Sequence, residues 1–320
     1  MIALFFTSGL LVVGIVLLIK GADWFIDGVG ELARALGISA LVLGVLLAGL
    51  EPEEMLTSAI ASARGAPALA VGNVVGTNIT IVTAALGLSA LIFPMVINRS
   101  VRRQALIATL VSVVPVILLF SGIVTRLEGI LLLIIFVSYT IFLFRTDREA
   151  VERMAEIDDD DDDERERSAH SGPRWKPVVL TLAGLAAMAA GGPAIVEGAI
   201  RFTQVVGLSQ GVVGETIVSL GTGAEMIALG VSAARKKRSD ILVGGVLGSF
   251  AYNLLVTLGL AAAIRPLPVD FHAILPALLI MVSVHLVLLM LIWHGKITRG
   301  MGGLLVGIYI IYLLIAIVFT

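Results

Sequence analysis

The sequence predicts an all-α integral membrane protein of about ten transmembrane helices, arranged as two inverted five-helix repeats. Three observations predict this fold: long apolar blocks, one long polar linker and a duplicated segment. The chain has 320 residues, of which 58% are hydrophobic and 14% are charged. Because the apolar residues form blocks rather than short alternating strands, the composition is typical of membrane helices.

A helix needs about 20 mostly apolar residues to cross the hydrocarbon core, and the sequence contains about ten such stretches. Lipid supplies no hydrogen-bond partners, so spans this continuously apolar must be helices. The first stretch lacks a basic leader and a small-residue cleavage site, which predicts a retained helix. The chain has no cysteine, which excludes disulfides, thiolate metal sites and thiol catalysis. The stretches begin near Ile2, Ile38, Leu69, Leu106, Gly129, Pro177, Leu208, Ile241, Phe271 and Gly302.

A single long polar linker divides the chain into residues 1–146 and 176–320, with residues 147–175 between them. Its acidic run, residues 158–164, predicts a solvated, disordered connector, although a calcium-sensing role is also open. Basic residues concentrate in the loops on the linker's side, so the positive-inside rule predicts a cytoplasmic linker. We therefore expect a multi-pass cell-membrane protein with both termini outside. The basic residues on the linker's side are Arg99, Arg102, Arg103, Arg235, Lys236, Lys237, Arg238, Lys296 and Arg299.

The two halves resemble each other in sequence. An offset of 172 residues aligns residues 49–94 with residues 221–266 without a gap, and pairs Glu53 with Glu225. Five spans in each half force the second half to run inverted relative to the first. Inverted repeats are typical of alternating-access transporters, whose binding sites lie near the midplane at the repeat interface.

Each repeated block opens with helix-breaking residues beside acids, inside an otherwise apolar span. The first block reads Gly-Leu-Glu-Pro-Glu-Glu over residues 49–54, and the second reads Gly-Thr-Gly-Ala-Glu over residues 221–225. A break frees backbone carbonyls to coordinate a cation, and the carboxylates add charge and hard oxygen ligands. Ionised groups at this depth require a cation, protons or partners. The sequence therefore predicts cation ligands at Glu51, Glu53, Glu54 and Glu225.

Neutral oxygen ligands are predicted on the following helix of each block. Asn73, Thr77 and Thr80 form one stripe in the first half, and Ser249, Asn253 and Thr257 form another in the second. Close helix packing is expected from the small-xxx-small glycine pairs at residues 72 and 76 and at residues 244 and 248. Thr222 is a further candidate oxygen ligand. Glu215 is a candidate proton acceptor or ion entry site, with a position near the outer interface as an equal alternative.

These features resemble a known family. The first span contains Gly-Ala-Asp-Trp-Phe-Ile-Asp-Gly over residues 21–28, which is similar to prokaryotic sodium/calcium exchangers, and the repeated blocks resemble their α-repeats. The chain is identified as a member of the calcium/cation antiporter superfamily. The resemblance implies ten helices, with broken helices two, three, seven and eight forming the ion-binding core.

The chain also departs from the exchanger pattern. The glycine-to-glutamate spacing is one residue shorter in both repeats, which is similar to calcium/proton exchangers. The family glutamate aligns with Glu53 and Glu225, or with Glu54 when the following Leu-Thr-Ser-Ala is used as the guide. The acid or amide common in the third and eighth helices of the family falls at Ile81 and Asn253.

The leading hypothesis is secondary antiport of Ca²⁺ against Na⁺ or H⁺, with no cofactor and no enzymatic activity. The two ions would compete for one glutamate site. The alternative on the same scaffold is exchange of Mg²⁺ or another divalent cation, because Mg²⁺ keeps much of its water and suits a wider site rich in carboxylates. An intramembrane enzyme lacks support, since the sequence has no His-Glu-x-x-His motif. The expected partners are the lipid bilayer and small inorganic cations, without nucleic acid and without a required oligomer.

Overall fold

The computed structural model describes residues 2–35, 51–97, 101–146, 175–235 and 239–318, and these residues are mostly helical. The predicted acidic linker, the start of the second predicted span and the basic residues 236–238 lie outside the described residues. Seven of the described helices are long and apolar enough to cross a membrane. They cover Leu4–Phe25, Pro67–Ile92, Val101–Phe120, Lys176–Val206, Leu242–Ile264, Phe271–His294 and Arg299–Ala316.

The first half begins with one long helix, α1, and continues through shorter helices. Pro52 and Pro67 each occupy the first turn of a helix, where the missing proline N–H leaves no hydrogen bond unmade. A π-helical turn, Ile81–Ala85, interrupts the helix that follows Pro67. The described elements are α1 (Ile2–Ala35), α2 (Pro52–Ala63), α3 (Pro67–Thr80), α4 (Leu86–Ile92), β1 (Met95–Val96), α5 (Val101–Phe120), β2 (Ile123–Val124) and α6 (Arg126–Thr146).

The second half repeats this order and has two π-helical turns, Gly214–Val218 and Asn253–Thr257. Asp270 caps the helix Phe271–His294 of this half by accepting hydrogen bonds from the backbone N–H groups of His272 and Ala273. Its elements are α7 (Lys176–Val206), α8 (Gln210–Val213), α9 (Ser219–Thr222), α10 (Ala224–Arg235), α11 (Ser239–Tyr252), α12 (Leu258–Ile264), β3 (Leu267–Pro268), α13 (Phe271–His294), β4 (Lys296–Ile297) and α14 (Arg299–Val318).

The offset that aligns the two sequences also relates their elements. Adding 172 to the bounds of α2, α3, α4 and β1 gives the bounds of α10, α11, α12 and β3. The π-helical turn Ile81–Ala85 maps onto Asn253–Thr257 in the same way. The two halves therefore share local structure even where their residues differ.

Two short strand pairs mark the two ends of the helix bundle. β1 pairs with β4, and β2 pairs with β3, both antiparallel. α5 connects β1 to β2, and its 20 residues span about 30 Å. The two pairs therefore lie at opposite ends of the bundle. α5 and α13 run in opposite directions between the β1–β4 end and the β2–β3 end.

The core surrounds the middle helices, while the outer helices carry exposed apolar side chains. In an 18-residue apolar window of each span, 83% of the residues of Pro67–Ile92 and 78% of those of Leu242–Ile264 are buried. The corresponding share is 28% for both Leu4–Phe25 and Lys176–Val206. Residues exposed at this apolar surface, such as Phe5, Leu110 and Met290, suit contact with lipid. The polar side chains of interest consequently lie on the helices most protected from lipid.

Candidate cation site

In each half, the acids lie where a helix is interrupted and the next helix begins. In the second half, α9 ends at Thr222, Gly223 follows, and α10 begins with Ala224 and Glu225. The interruption therefore centres on Gly223. In the first half, Glu51 has a non-helical backbone and precedes α2, whose first turn holds Glu53 and Glu54. A helix N-terminus carries partial positive charge, which favours carboxylates at both positions.

Glu54 is held by its own half of the chain. Its Oε2 accepts a hydrogen bond from Asn73 Nδ2 at 2.8 Å, and Thr77 Oγ1 donates to both carboxylate oxygens at 3.0 and 3.1 Å. Thr222, from the second half, donates to Asn73 Oδ1 at 3.2 Å and also lies against Glu54. Glu54 thus sits among three neutral side chains, which fix its position without neutralising its charge.

Glu51 is held by the opposite half. Its Oε1 accepts a hydrogen bond from Ser249 Oγ at 2.5 Å, and its Oε2 accepts one from Asn253 Nδ2 at 2.8 Å. Asn253 Oδ1 in turn accepts from Thr257 Oγ1. Both donors lie on the second half's equivalents of α3 and its π-helical turn. The acids around the start of α2 therefore point apart: Glu54 contacts the first half and Glu51 contacts the second.

Glu53 lies between these two groups and faces Glu225, its equivalent in the second half. The two carboxyl groups are close enough to interact electrostatically. Glu53 is 1% exposed, and its Oε2 has no hydrogen-bond partner among the described residues. Two ionised carboxylates this close repel each other, and either a proton on one of them or a cation between them would remove that repulsion.

Few basic side chains compensate the charge of this cluster. No described lysine or arginine forms an ion pair with Glu51, Glu53, Glu54 or Glu225. Lys20, which acts electrostatically on Glu225, is itself paired with Asp23 at 3.0 Å. An ionised residue at the bilayer centre costs at least ~2.5–3.5 kcal/mol. The arrangement consequently suits either bound protons or a bound cation.

Neutral oxygens are needed to complete any cation site here. Within the described ranges, no three acidic or histidine side chains converge on one point as a metal cluster. Neutral side chains surround the acids instead. Asn73 and Asn253 donate to them from amide nitrogens, and Thr77 and Ser249 from hydroxyl groups. Thr222 donates to Asn73 Oδ1. Hard cations such as Ca²⁺ accept carboxylate, amide and carbonyl oxygens together.

Glu215 stands apart from this cluster. It lies in the π-helical turn Gly214–Val218, is 5% exposed, and forms no hydrogen bond with the other predicted ligands among the described residues. Its side chain lines a separate cavity beside Tyr312. The structure therefore brings nine of the ten predicted site residues into one neighbourhood and leaves Glu215 outside it.

Two contributions to this region were missing from the sequence-based prediction. Ser58 accepts a hydrogen bond from Asn73 Nδ2 at 3.2 Å, and its position one helical turn after Glu54 was an available signal. The π-helical turns had no comparable signal, because Ile-Val-Thr-Ala-Ala and Asn-Leu-Leu-Val-Thr share no motif. Thr80, predicted on the ligand stripe, donates to the Gly76 carbonyl of its own helix instead.

Glycine allows the two halves to approach each other. A methyl group added at Gly76 would lie 2.6 Å from Glu215 Cα, and one added at Gly72 would lie 3.1 Å from Glu215 N. Helix α3, which carries Asn73 and Thr77, therefore packs directly on the backbone of the π-helical turn at Gly214–Val218. The predicted packing role of these two glycines agrees with the structure.

The comparisons with known proteins concern nearly the whole chain. The family model described as sodium/calcium exchanger protein matches residues 6–145 and 176–318. The inner membrane protein YrbG of Escherichia coli K12 is 31% identical over 315 residues, covering 96% of this chain and 95% of that protein. The sodium/calcium exchanger MaX1 of Methanosarcina acetivorans is 28% identical, with 96% and 97% covered.

The solved structure of the sodium/calcium exchanger from Methanococcus jannaschii has the same fold. It superposes with a TM-score of 0.63 at 26% identity, and the alignment covers 97% of this chain and 98% of that one. The family match lies on both sides of the polar linker. This chain therefore belongs to the sodium/calcium exchanger family of membrane cation antiporters.

Proposed function

We propose that this protein is a secondary active antiporter that exchanges Ca²⁺ for Na⁺ or H⁺ by alternating access at a midplane glutamate site. The observation that carries the proposal is the meeting of Glu53 and Glu225, equivalent acids of the two halves, in a cluster with which no described lysine or arginine forms an ion pair. Since the carboxylates cannot remain charged and empty at this depth, one ion must be replaced by another. Competition for the same carboxylates couples the two fluxes.

The proposed ligands follow from these contacts. Glu53, Glu54 and Glu225 would supply most of the charge, and Glu51 would add a further carboxylate. Asn73, Thr77, Thr222, Ser249 and Asn253 would complete or support the coordination through neutral oxygens. The names of MaX1 and of the M. jannaschii exchanger describe sodium and calcium as their ions, which supports the same pair of ions here.

The proposed architecture is ten spans in two inverted repeats. The bounds of α2, α3, α4 and β1 match those of α10, α11, α12 and β3 after an offset of 172 residues. The corresponding helices α5 and α13 run in opposite directions between the two strand pairs. With the linker in the cytoplasm, the β1–β4 end is cytoplasmic and the β2–β3 end is outside. Both termini are then outside, in a cell membrane. An inverted pair of halves can expose the same site alternately to either side.

The divalent ion could instead be Mg²⁺, and one observation favours that second candidate. Three carboxylates, Glu51, Glu53 and Glu54, occupy four consecutive positions around the start of α2 and are buried together. Mg²⁺ keeps much of its water, so a wider site with more carboxylate and fewer fitted carbonyl ligands would suit it. Asn73, Thr77, Ser249 and Asn253 already bind these acids, which favours the fitted oxygen shell of Ca²⁺.

Flux measurement in proteoliposomes tests both candidates. We expect ⁴⁵Ca²⁺ uptake to be driven by an outward Na⁺ gradient or an outward H⁺ gradient, imposed one at a time, without ATP. Excess unlabelled Ca²⁺ should suppress this uptake, while equal Mg²⁺ should have less effect. Stronger suppression by Mg²⁺ would transfer the proposal to the second candidate. Absence of gradient-driven divalent flux under every condition would refute exchange.

A further inference from the structure

A second polar site lies away from the glutamate cluster, in a cavity at the β2–β3 end. The cavity has a volume of about 260 Å³ and is formed by α3, the π-helical turn Gly214–Val218, α13 and α14. Pro268 of β3 contributes to its wall, which places it at that end of the bundle. Asp270 and Ser209 are exposed where the cavity opens, whereas Glu215 is 5% exposed at its interior.

The carboxylate of Glu215 has no compensating partner. No described residue donates a hydrogen bond to it or forms an ion pair with it, and the hydroxyl groups of Tyr312 and Ser219 bond the backbone instead. Tyr312 Oη donates to the backbone carbonyl of Glu215 at 2.9 Å, and Ser219 Oγ donates to that same carbonyl. The backbone is thus anchored twice, and the side chain alone faces the cavity.

The remaining wall of the cavity offers little charge. α3 contributes Ala68 and Val71, and α13 contributes apolar side chains below Asp270. Besides Glu215, the titratable groups facing the cavity are Tyr312 and Asp270. Asp270 is occupied as a helix cap by two backbone N–H groups. A buried carboxylate in such surroundings binds a positive charge or a proton, because the isolated ion is costly there.

We propose that this cavity is a monovalent-cation site, for Na⁺ or H⁺, with the carboxylate of Glu215 as its anionic group. Ca²⁺ takes six to eight oxygen ligands and needs more negative charge than one carboxylate supplies. The site deepens the proposed antiport function, because it gives the monovalent ion a binding place apart from the central glutamates. Its assignment to the outer side rests on the proposed topology, whereas its chemistry rests on the cavity alone.

The site touches the helix that holds Glu54. The backbone of Glu215 packs on Gly72 and Gly76 of α3, while Asn73 and Thr77 on that helix bind Glu54. There is no space between the two backbones for a side chain. A change in the position of the Glu215 turn when the cation binds would therefore displace α3 as well.

Carbodiimide labelling tests the site without measuring flux. Dicyclohexylcarbodiimide reacts with protonated carboxyl groups in apolar surroundings, and peptide mass spectrometry of the full-length protein locates each adduct. We expect Glu215 to be labelled at low pH in choline chloride. Labelling should fall as the pH rises, by up to about tenfold per pH unit, as expected for a single titrating group. Replacing choline by Na⁺ at fixed pH distinguishes the ions: protection indicates Na⁺ binding, and no protection indicates a proton site.

Two variants make the outcome decisive. Glu215→Gln should abolish the adduct on that peptide, while Tyr312→Phe should retain the pH dependence, because Tyr312 bonds the backbone rather than the carboxylate. Labelling that ignores both pH and Na⁺, or a Glu215 that is never labelled, would overturn the proposal. Since no flux is measured, failure here would leave the central glutamate site unaffected, and failure of exchange would leave this result standing.

Discussion

Ser249 donates a hydrogen bond from its hydroxyl group to Glu51 Oε1, and thereby connects the two halves of the chain. The contact joins residues 198 positions apart. Asn253, one turn further along, donates to the other oxygen of the same carboxylate. A carboxylate from one half is therefore oriented by a helix of the other half.

Removing this contact should weaken cation binding. In Ser249→Ala, Glu51 keeps Asn253 but loses a charge-assisted hydrogen bond of about 1.5–3 kcal/mol. We expect the Ca²⁺ concentration for half-maximal flux to rise by roughly tenfold or more, with the flux at saturating Ca²⁺ still measurable.

The matched control for this change is Ser112→Ala. Ser112 is also buried, but it donates only to the Ala108 carbonyl of its own helix. In Ser112→Ala, the Ca²⁺ concentration for half-maximal flux should stay within about twofold of the parent value, because only a hydrogen bond local to one helix is lost. Equal effects of the two substitutions would show that the contact between Ser249 and Glu51 has no special role.

The packing of Gly76 against Glu215 predicts a change in stability. An added methyl group would meet the Glu215 carbonyl oxygen, Cα and carbonyl carbon, and neither backbone can move freely. Gly76→Ala should therefore destabilise the protein by about 1–3 kcal/mol and lower the thermal midpoint in detergent. Gly307→Ala is the control, because no described atom lies within 4 Å of its added methyl group. A thermal midpoint for Gly76→Ala at or above that of Gly307→Ala would contradict this packing.

Topology can be measured with single cysteines, since the chain contains none. Ser121 is exposed in the turn before β2, and position 168 lies in the polar linker. In intact cells, a membrane-impermeant maleimide should label Ser121→Cys but not Ser168→Cys, and permeabilisation should expose the latter. Labelling of both from the same side would refute the inverted arrangement.

The sequence predicted the residues that the two repeats have in common, but it did not predict the contacts that form only in the tertiary structure. The offset of 172 residues paired Glu53 with Glu225, and the structure places them side by side. Glycine in the second block correctly predicted a helix break, although the interruption centres on Gly223. The partners of Glu51 could not be read from periodicity, because Ser249 and Asn253 reach it across the interface between the halves.

The position of Glu215 also depends on tertiary structure that the sequence does not reveal. Helical spacing places Glu215, Ser219 and Thr222 on one face, but a π-helical turn at Gly214–Val218 adds a residue to the turn and changes the phase. Thr222 then bonds Asn73, while Glu215 lines another cavity. The turn packs against Gly72 and Gly76 of α3, a tertiary contact that helical spacing in the local sequence does not reveal.

The sharpest prediction concerns Glu225. It is the acid that the second half contributes to the central cluster, whereas the first half contributes Glu53 together with Glu51 and Glu54. Glu225→Gln keeps the side-chain volume and a polar group beside Glu53, so the fold should be retained. It removes the charge that both the driving and the driven ion must neutralise, and gradient-driven Ca²⁺ flux should be abolished. In Glu51→Gln, the side-chain oxygen still accepts from Ser249 or Asn253, so flux should be reduced but measurable. Size-exclusion chromatography of both variants checks that they remain folded and extractable. Flux at the parent rate through well-folded Glu225→Gln would show that this acid is structural, and the central site assignment would have to be abandoned.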